Sequence, residues 1–267
     1  MTRVWTATAL VVPVLAAVLW APPWLFTALV TLVALLALLE YFRLARALGL
    51  NPFRWLGLIA TAVIVVALSL PASSRFWISL LIALVLALGV RALASPENLN
   101  QHLNNIGVTL FGIFYLGVLL GLLPAIRNDP AGIIWLLFLF VLVWVGDTAA
   151  LYAGRAWGRH RMAPRVSPKK SWEGALASFA VAVLLGAGFG FWTDVASTAR
   201  PVLELAALGG AINIAAQCGD LIESLLKRGA QVKDSGTLLP GHGGILDRVD
   251  ALLFAAPVLW YYVTYFH

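Results

Sequence analysis

Apolar runs of about 20 residues recur along the whole chain, each long enough to cross the hydrocarbon core of a bilayer at the rise of an α-helix. Nine can be traced: Val4–Ala21, Trp24–Phe42, Trp55–Leu70, Phe76–Ala94, Ile106–Ile126, Ala131–Ala153, Glu173–Thr193, Val202–Lys227 and Asp250–Phe266. None alternates apolar and polar residues as a barrel strand would, and a backbone in lipid must satisfy its own polar groups, so the expected fold is an all-α, polytopic transmembrane protein. Composition agrees: 61% of the residues are apolar and 11% charged, where a soluble domain has about a quarter charged. The first run holds Trp5, Pro13 and Trp20 and gives way at once to the second through Ala21-Pro22-Pro23. It reads as an anchor that stays, not as a cleaved signal peptide.

Basic residues set the orientation, because Lys and Arg stay on the cytoplasmic side. With nine spans, one side receives Arg3, Arg43, Arg46, Arg54, Arg91, Arg155, Arg159, Arg161, Arg165, Lys169, Lys170, Lys227, Arg228, Lys233 and Arg248. The other receives Arg75, Arg127 and Arg200. A miscounted helix would scramble this split, so the amino terminus is expected in the cytoplasm and the carboxyl terminus outside, in a multi-pass protein of the cell (inner) membrane. The net charge of +6 is then a one-sided field that can attract anionic headgroups or nucleotides. No nucleic-acid partner is expected. The single Cys218 excludes an intrachain disulfide, and no Cys or His cluster has zinc spacing.

Residues 1–130, covering spans one to five, have short loops and few intramembrane charges, and read as an amino-terminal scaffold. Gly117-x-x-x-Gly121 within them marks close helix packing. Residues 131–267, covering spans six to nine and their cytoplasmic loops, hold what is unusual: Asp147, a basic loop to Ser171, and a polar stripe on span eight with a charged segment after it. These are expected to converge on one cavity at the cytoplasmic surface.

Asn213, Gln217, Asp220, Ser224 and Lys227 are spaced 4, 3, 4 and 3, which keeps them on one helix face. That face must meet protein or water, since a carboxylate against lipid costs about 3 kcal/mol at the bilayer centre. Asp220 is therefore a functional candidate, with helix pairing as the plainer alternative. Asp247 and Asp250, three residues apart where span nine starts, can share a helical side and stabilise its positive end; capping alone would also explain them. Carboxylates without Cys or His partners suit a hard cation such as magnesium, which takes one or two of them plus phosphate oxygens and water. Asp220 and Asp247 are the expected metal ligands. Gly241, Gly243 and Gly244 can turn backbone N–H groups toward an anion, as turns also do, and His242 between them can donate to a phosphate or cap the turn. Lys169 and Lys170 precede the start of span seven, where paired lysines and a helix amino terminus favour a polyphosphate; positive-inside anchoring is their other reading. No G-x-x-x-x-G-K-[ST] loop is present.

The segment from Ser224 to Asp250 resembles the signature of the phosphatidate cytidylyltransferases, or CDP-diacylglycerol synthases, at Ser224, Lys227, Arg228, Lys233, Asp234, Gly236, Pro240, His242, Gly243, Gly244, Asp247, Arg248 and Asp250. A second family-like run leads from Asp147 through Gly154-Arg155 and Gly158-Arg159 to Ser167-Pro168-Lys169-Lys170 and Trp172-Glu173-Gly174, with Ser171 where Thr is commoner, and Gln217-Cys218-Gly219-Asp220 follows. The resemblance implies transfer of the cytidylyl group of CTP to phosphatidate, giving CDP-diacylglycerol and pyrophosphate with Mg2+, and leaves a second metal open. It implies metal at Asp220 and Asp247. Lys227, Arg228 and Arg248 are expected to neutralise phosphates, with Ser224 and Asp250 orienting them. Lys169, Lys170, Lys233, Asp147, His242, Gly243 and Gly244 are expected on the substrate side. A homodimer packed through the scaffold is compatible with this reading. The rivals are a CTP-dependent membrane lipid kinase, which would release CDP, and an ion-coupled transporter using Asp220 and Asn213, which leaves the Gly-His-Gly-Gly segment unexplained.

Overall fold

The computed structural model describes residues 2–71, 73–96, 98–193, 201–236 and 243–267, with 2–10 described as backbone only. Every expected span falls on a helix. In chain order these are α1 (Thr2–Trp20), α2 (Pro23–Ala47), α3 (Arg54–Leu68), α4 (Ser74–Leu93), a run formed by the 3-10 turn Leu99–Gln101, α5 (His102–Gly112), the π-helical turn Ile113–Val118 and α6 (Leu119–Arg127), then α7 (Gly132–Trp157), α8 (Trp172–Trp192), α9 (Pro201–Gly229) and α10 (Leu246–Tyr265). Among the described residues, α2, α4, the run Leu99–Arg127, α7, α8 and α9 are each long and apolar enough to cross a membrane. The chain is thus a multi-pass helical membrane protein. Long stretches of apolar side chain face outward, as on α4, where Leu81, Ile82, Val85 and Leu86 are all at least half exposed. That pattern suits lipid and would be costly in water.

One departure from the all-α expectation lies in the basic loop after α7. Strands β1 (Arg161–Ala163) and β2 (Ser167–Ser171) pair antiparallel, Arg161 opposite Ser171 and Ala163 opposite Ser167. The ribbon is pinned at its base, where Trp172 N donates to His160 O at 2.9 Å and the Glu173 carboxylate takes both His160 N and Nδ1. A run rich in Lys, Arg and Pro with strands of three and five residues carries no alternation that would announce it.

The chain forms two compact units. One holds residues 21–125 and 229–247. Phe53, Ile64, Leu84, Leu88 and Ile113 fill its core, and α3 begins where Asn105 and Thr109 side chains accept the N–H groups of Asn51 and Phe53. The Gly117-x-x-x-Gly121 expectation holds: a Cβ at Gly117 would lie 3.3 Å from Thr61 Cα, and one at Gly121 3.2 Å from Val65 Cα, so α3 packs backbone-close along this stripe.

The other unit holds residues 1–20, 126–228 and 248–267. Helices α8 and α9 touch through glycine, since a Cβ at Gly186 would meet Leu205 O at 2.0 Å and one at Gly209 would meet Ala182 O at 2.5 Å. Trp135, fully buried on α7, packs edge-on against Tyr262 of α10 at 5.4 Å. Exposed tryptophans mark helix ends in this unit, with Trp157 closing α7 and Trp172 and Trp192 opening and closing α8.

Candidate active site

The stripe on α9 does face protein, and it divides into two parts. Asn213 is buried and donates to Ser178 Oγ on α8 at 2.8 Å, while Gln217 donates to Asn213 Oδ1 at 2.6 Å and to Ala175 O at 3.2 Å. This part pairs helices. Gly146 on α7 makes room for it, as a Cβ there would stand 2.8 Å from Asn213 Nδ2 and 3.0 Å from Ser178 Oγ. Toward the end of the helix the same stripe opens into a cavity of about 540 Å³, lined among others by Asp147, Arg155, Lys169, Lys170, Gln217 and Asp220.

Within that cavity Lys170 Nζ sits 2.5 Å from Asp220 Oδ2, with both side chains partly exposed. Ser224 Oγ lies 3.5 Å from Asp220 Oδ1. The carboxylates of Asp147, Asp220 and Asp250 lie within electrostatic reach of one another, with Lys170 and Lys227 as the cations acting on them. Close approach of α9 to the start of α10 explains this, because a Cβ at Gly219 would be 2.4 Å from Asp250 O. Among the described residues no three His, Cys, Asp or Glu converge to hold a metal by themselves. Carboxylate oxygens such as those of Asp147 and Asp220 are of the donor type that magnesium takes together with phosphate oxygens and water.

The remaining basic residues of this unit are placed individually. Lys169 and Lys170 lie on β2, immediately before Ser171, which caps α8 by accepting Gly174 N at 3.2 Å. Lys227 is paired at 2.5 Å with Glu223, one turn back and fully buried. Arg228 Nε donates to Val166 O in the turn of the ribbon at 3.3 Å, and Arg248 is exposed on the first turn of α10.

In the unit of residues 21–125 and 229–247, Asp247 gathers its neighbours: Oδ2 accepts Ser235 N at 2.9 Å, Ser235 Oγ at 2.9 Å and Gly244 N at 2.7 Å. Gly243 takes φ +77°, a conformation that favours glycine. Lys233 and Asp234 are exposed. His242, with Gly241, lies outside the described residues. Glu40 on α2 is also here, fully buried, accepting Ser235 Oγ, Ile245 N and Leu246 N. Sequence reasoning passed over Glu40, Glu223 and Ser178. A lone acid within an apolar span was the available signal for Glu40.

Known proteins agree with this chemistry. A model of the cytidylyltransferase family matches residues 1–266. The chain is 36% identical over 219 residues to the phosphatidate cytidylyltransferase of Haemophilus influenzae, covering 81% of this chain and 68% of that one. It is 32% identical over 271 residues to the protein of that name from Synechocystis, covering 90% and 89%, and 44% identical over 163 residues to the one from Brucella suis, covering 58% and 56%. With a family match over nearly its full length, the chain belongs to the cytidylyltransferase family.

Proposed function

We infer that this chain is a phosphatidate cytidylyltransferase, an enzyme of phospholipid biosynthesis that moves the cytidylyl group of CTP onto phosphatidate and releases pyrophosphate. The observation that carries the reading is the Lys170–Asp220 pair in a basic cavity bordered by membrane helices. Such a cavity suits a polyphosphate and a metal together, beside the phase that holds the lipid.

In the transfer, a phosphate oxygen of phosphatidate forms a bond to the α-phosphorus of CTP while the bond to the β-phosphate bridging oxygen breaks, and pyrophosphate leaves with that electron pair. The attacking oxygen is already anionic, so no strong general base is required, and the protein's work is alignment and charge neutralisation. Lys169 and Lys170 hold the triphosphate beside Asp147. Lys227, Arg228 and Arg248 offset charge on the transferring and departing groups, while Ser224 and Asp250 orient that set. Lys233, His242, Gly243 and Gly244 complete the substrate side from the loop before α10. Asp220 and Asp247 are the residues we assign to magnesium. When bound, the ion supplies positive charge to the nucleotide phosphates.

All nine spans are read as crossings, with the amino terminus and the site on the cytoplasmic side of the inner membrane. Catalytic contacts come from residues 131–267 and support from 1–130, through which a homodimer would pack. The test is to incubate the full-length protein in lipid nanodiscs with CTP, magnesium and phosphatidate, following pyrophosphate and labelled lipid. CDP-diacylglycerol with equimolar pyrophosphate is expected. Release of CDP would assign a lipid kinase instead, and no turnover of either substrate would remove the enzymatic reading.

A further inference from the structure

We propose that Glu40 is a positioning residue, an internal carboxylate that holds Ser235, Gly236 and the run from Gly244 to Leu246 in the arrangement that presents Asp247. It is the sole acidic residue of α2, a helix long and apolar enough to span a membrane, and none of its surface is exposed. An acid so placed is expensive unless matched by donors. Its donors come from 195 to 206 positions away in sequence: Oε2 accepts Ser235 Oγ at 2.9 Å and Leu246 N at 2.9 Å, and Oε1 accepts Ile245 N at 3.1 Å. Ile245 N and Leu246 N are amides at the start of α10, which have no partner within their own helix. Glu40 therefore caps that start from another part of the chain.

Two further contacts show that Gly236 and Gly244 are placed around this carboxylate. A Cβ at Gly236 would fall 2.4 Å from Glu40 Oε1, and one at Gly244 2.2 Å from Glu40 Oε2. Both glycines are thus required by the Glu40 oxygens. Ser235 Oγ stands 2.9 Å from Glu40 Oε2 and 2.9 Å from Asp247 Oδ2, and Gly244 N donates to Asp247. The hydroxyl stands within hydrogen-bond distance of both carboxylates and shares its one proton between them, so a shift of Glu40 is passed to Asp247 through one side chain. Ser235, Gly236 and Gly244 are thus fitted around a carboxyl group belonging to the protein itself.

The test compares full-length parent, Glu40→Gln and Ser235→Ala in nanodiscs, by hydrogen exchange and by CTP turnover across a magnesium titration. Gln keeps the size of Glu but offers an amide where Leu246 N needs an acceptor. Amides of Ser235 and Gly244 to Leu246 should exchange about tenfold faster in Glu40→Gln, with α7 to α9 unchanged. The half-saturating magnesium concentration should rise about fivefold or more if Asp247 is displaced. Parent-like loop exchange and magnesium requirement, with turnover reduced only in step with the folded fraction, would overturn the role. If Glu40→Gln does not fold, Ser235→Ala carries the same two readouts. The magnesium readout rests on the cytidylyltransferase reading. A parent without CTP turnover would defeat that reading while loop exchange still decides for Glu40.

Discussion

Lys170 on β2 and Asp220 on α9 meet at 2.5 Å, so a strand and a helix 50 residues apart in sequence share one charge pair inside the cavity. A pair that is only partly exposed is held firmly enough to orient its members yet open enough to exchange partners with a ligand. Replacing Asp220 by Asn keeps the shape and removes the charge. Turnover should fall at least ~100-fold, while thermal unfolding in the same detergent stays close to the parent; a variant with near-normal turnover would take Asp220 out of the site. Lys170→Met should raise the KM for CTP about tenfold or more, measured at saturating phosphatidate.

Lys227 and Glu223 form a tighter case, because Glu223 is fully buried and Lys227 nearly so. Removing one member of a buried pair weakens the compensation of the other charge, at a typical cost of about 3–5 kcal/mol. Lys227→Met should therefore lose both stability and activity. The double variant Lys227→Met with Glu223→Gln should recover much of the stability and none of the activity, and unfolding curves with a CTP turnover assay separate these.

Gly186 tests the contact between α8 and α9. A methyl group there would press on Leu205 O from 2.0 Å, and overpacking of this kind costs about 1–3 kcal/mol. Gly186→Ala should lower the unfolding temperature in detergent by several degrees. A stable variant would mean that the helices can part without penalty.

Gly243 combines φ +77° with close approach to Asp247, as a Cβ would lie 2.7 Å from its Oδ2. Gly243→Ala should cost about 1–2 kcal/mol in backbone strain and reduce turnover more than it reduces the unfolding temperature, because the strain falls beside Asp247.

Much of this architecture is legible in the sequence because lipid imposes a simple rule: the backbone must close its own hydrogen bonds over about 20 apolar residues. The helix faces follow as readily, since Asn213, Gln217 and Asp220 could share a side only by their spacing. Their partners were not legible. Asn213 could equally have served a ligand, and only the coordinates give it Ser178. The ribbon escaped because strands of three and five basic or small residues have no periodicity to read. Glu40 escaped for a different reason, as its donors lie 195 to 206 residues downstream in a segment whose glycines looked like a cradle for an outside anion.

Trp172 and Trp192 stand at opposite ends of α8, 20 residues apart, which at the helical rise is about 30 Å and equals the thickness of a hydrocarbon core. Tryptophan prefers the headgroup boundary, so the two indoles act as a depth gauge. Ser171 and Gly174, which line the cavity, bracket the Trp172 end. On the proposed reading the chamber would open at the level where a phospholipid carries its phosphate. A lipid can present that phosphate by sliding sideways along the leaflet, with its acyl chains left in oil throughout.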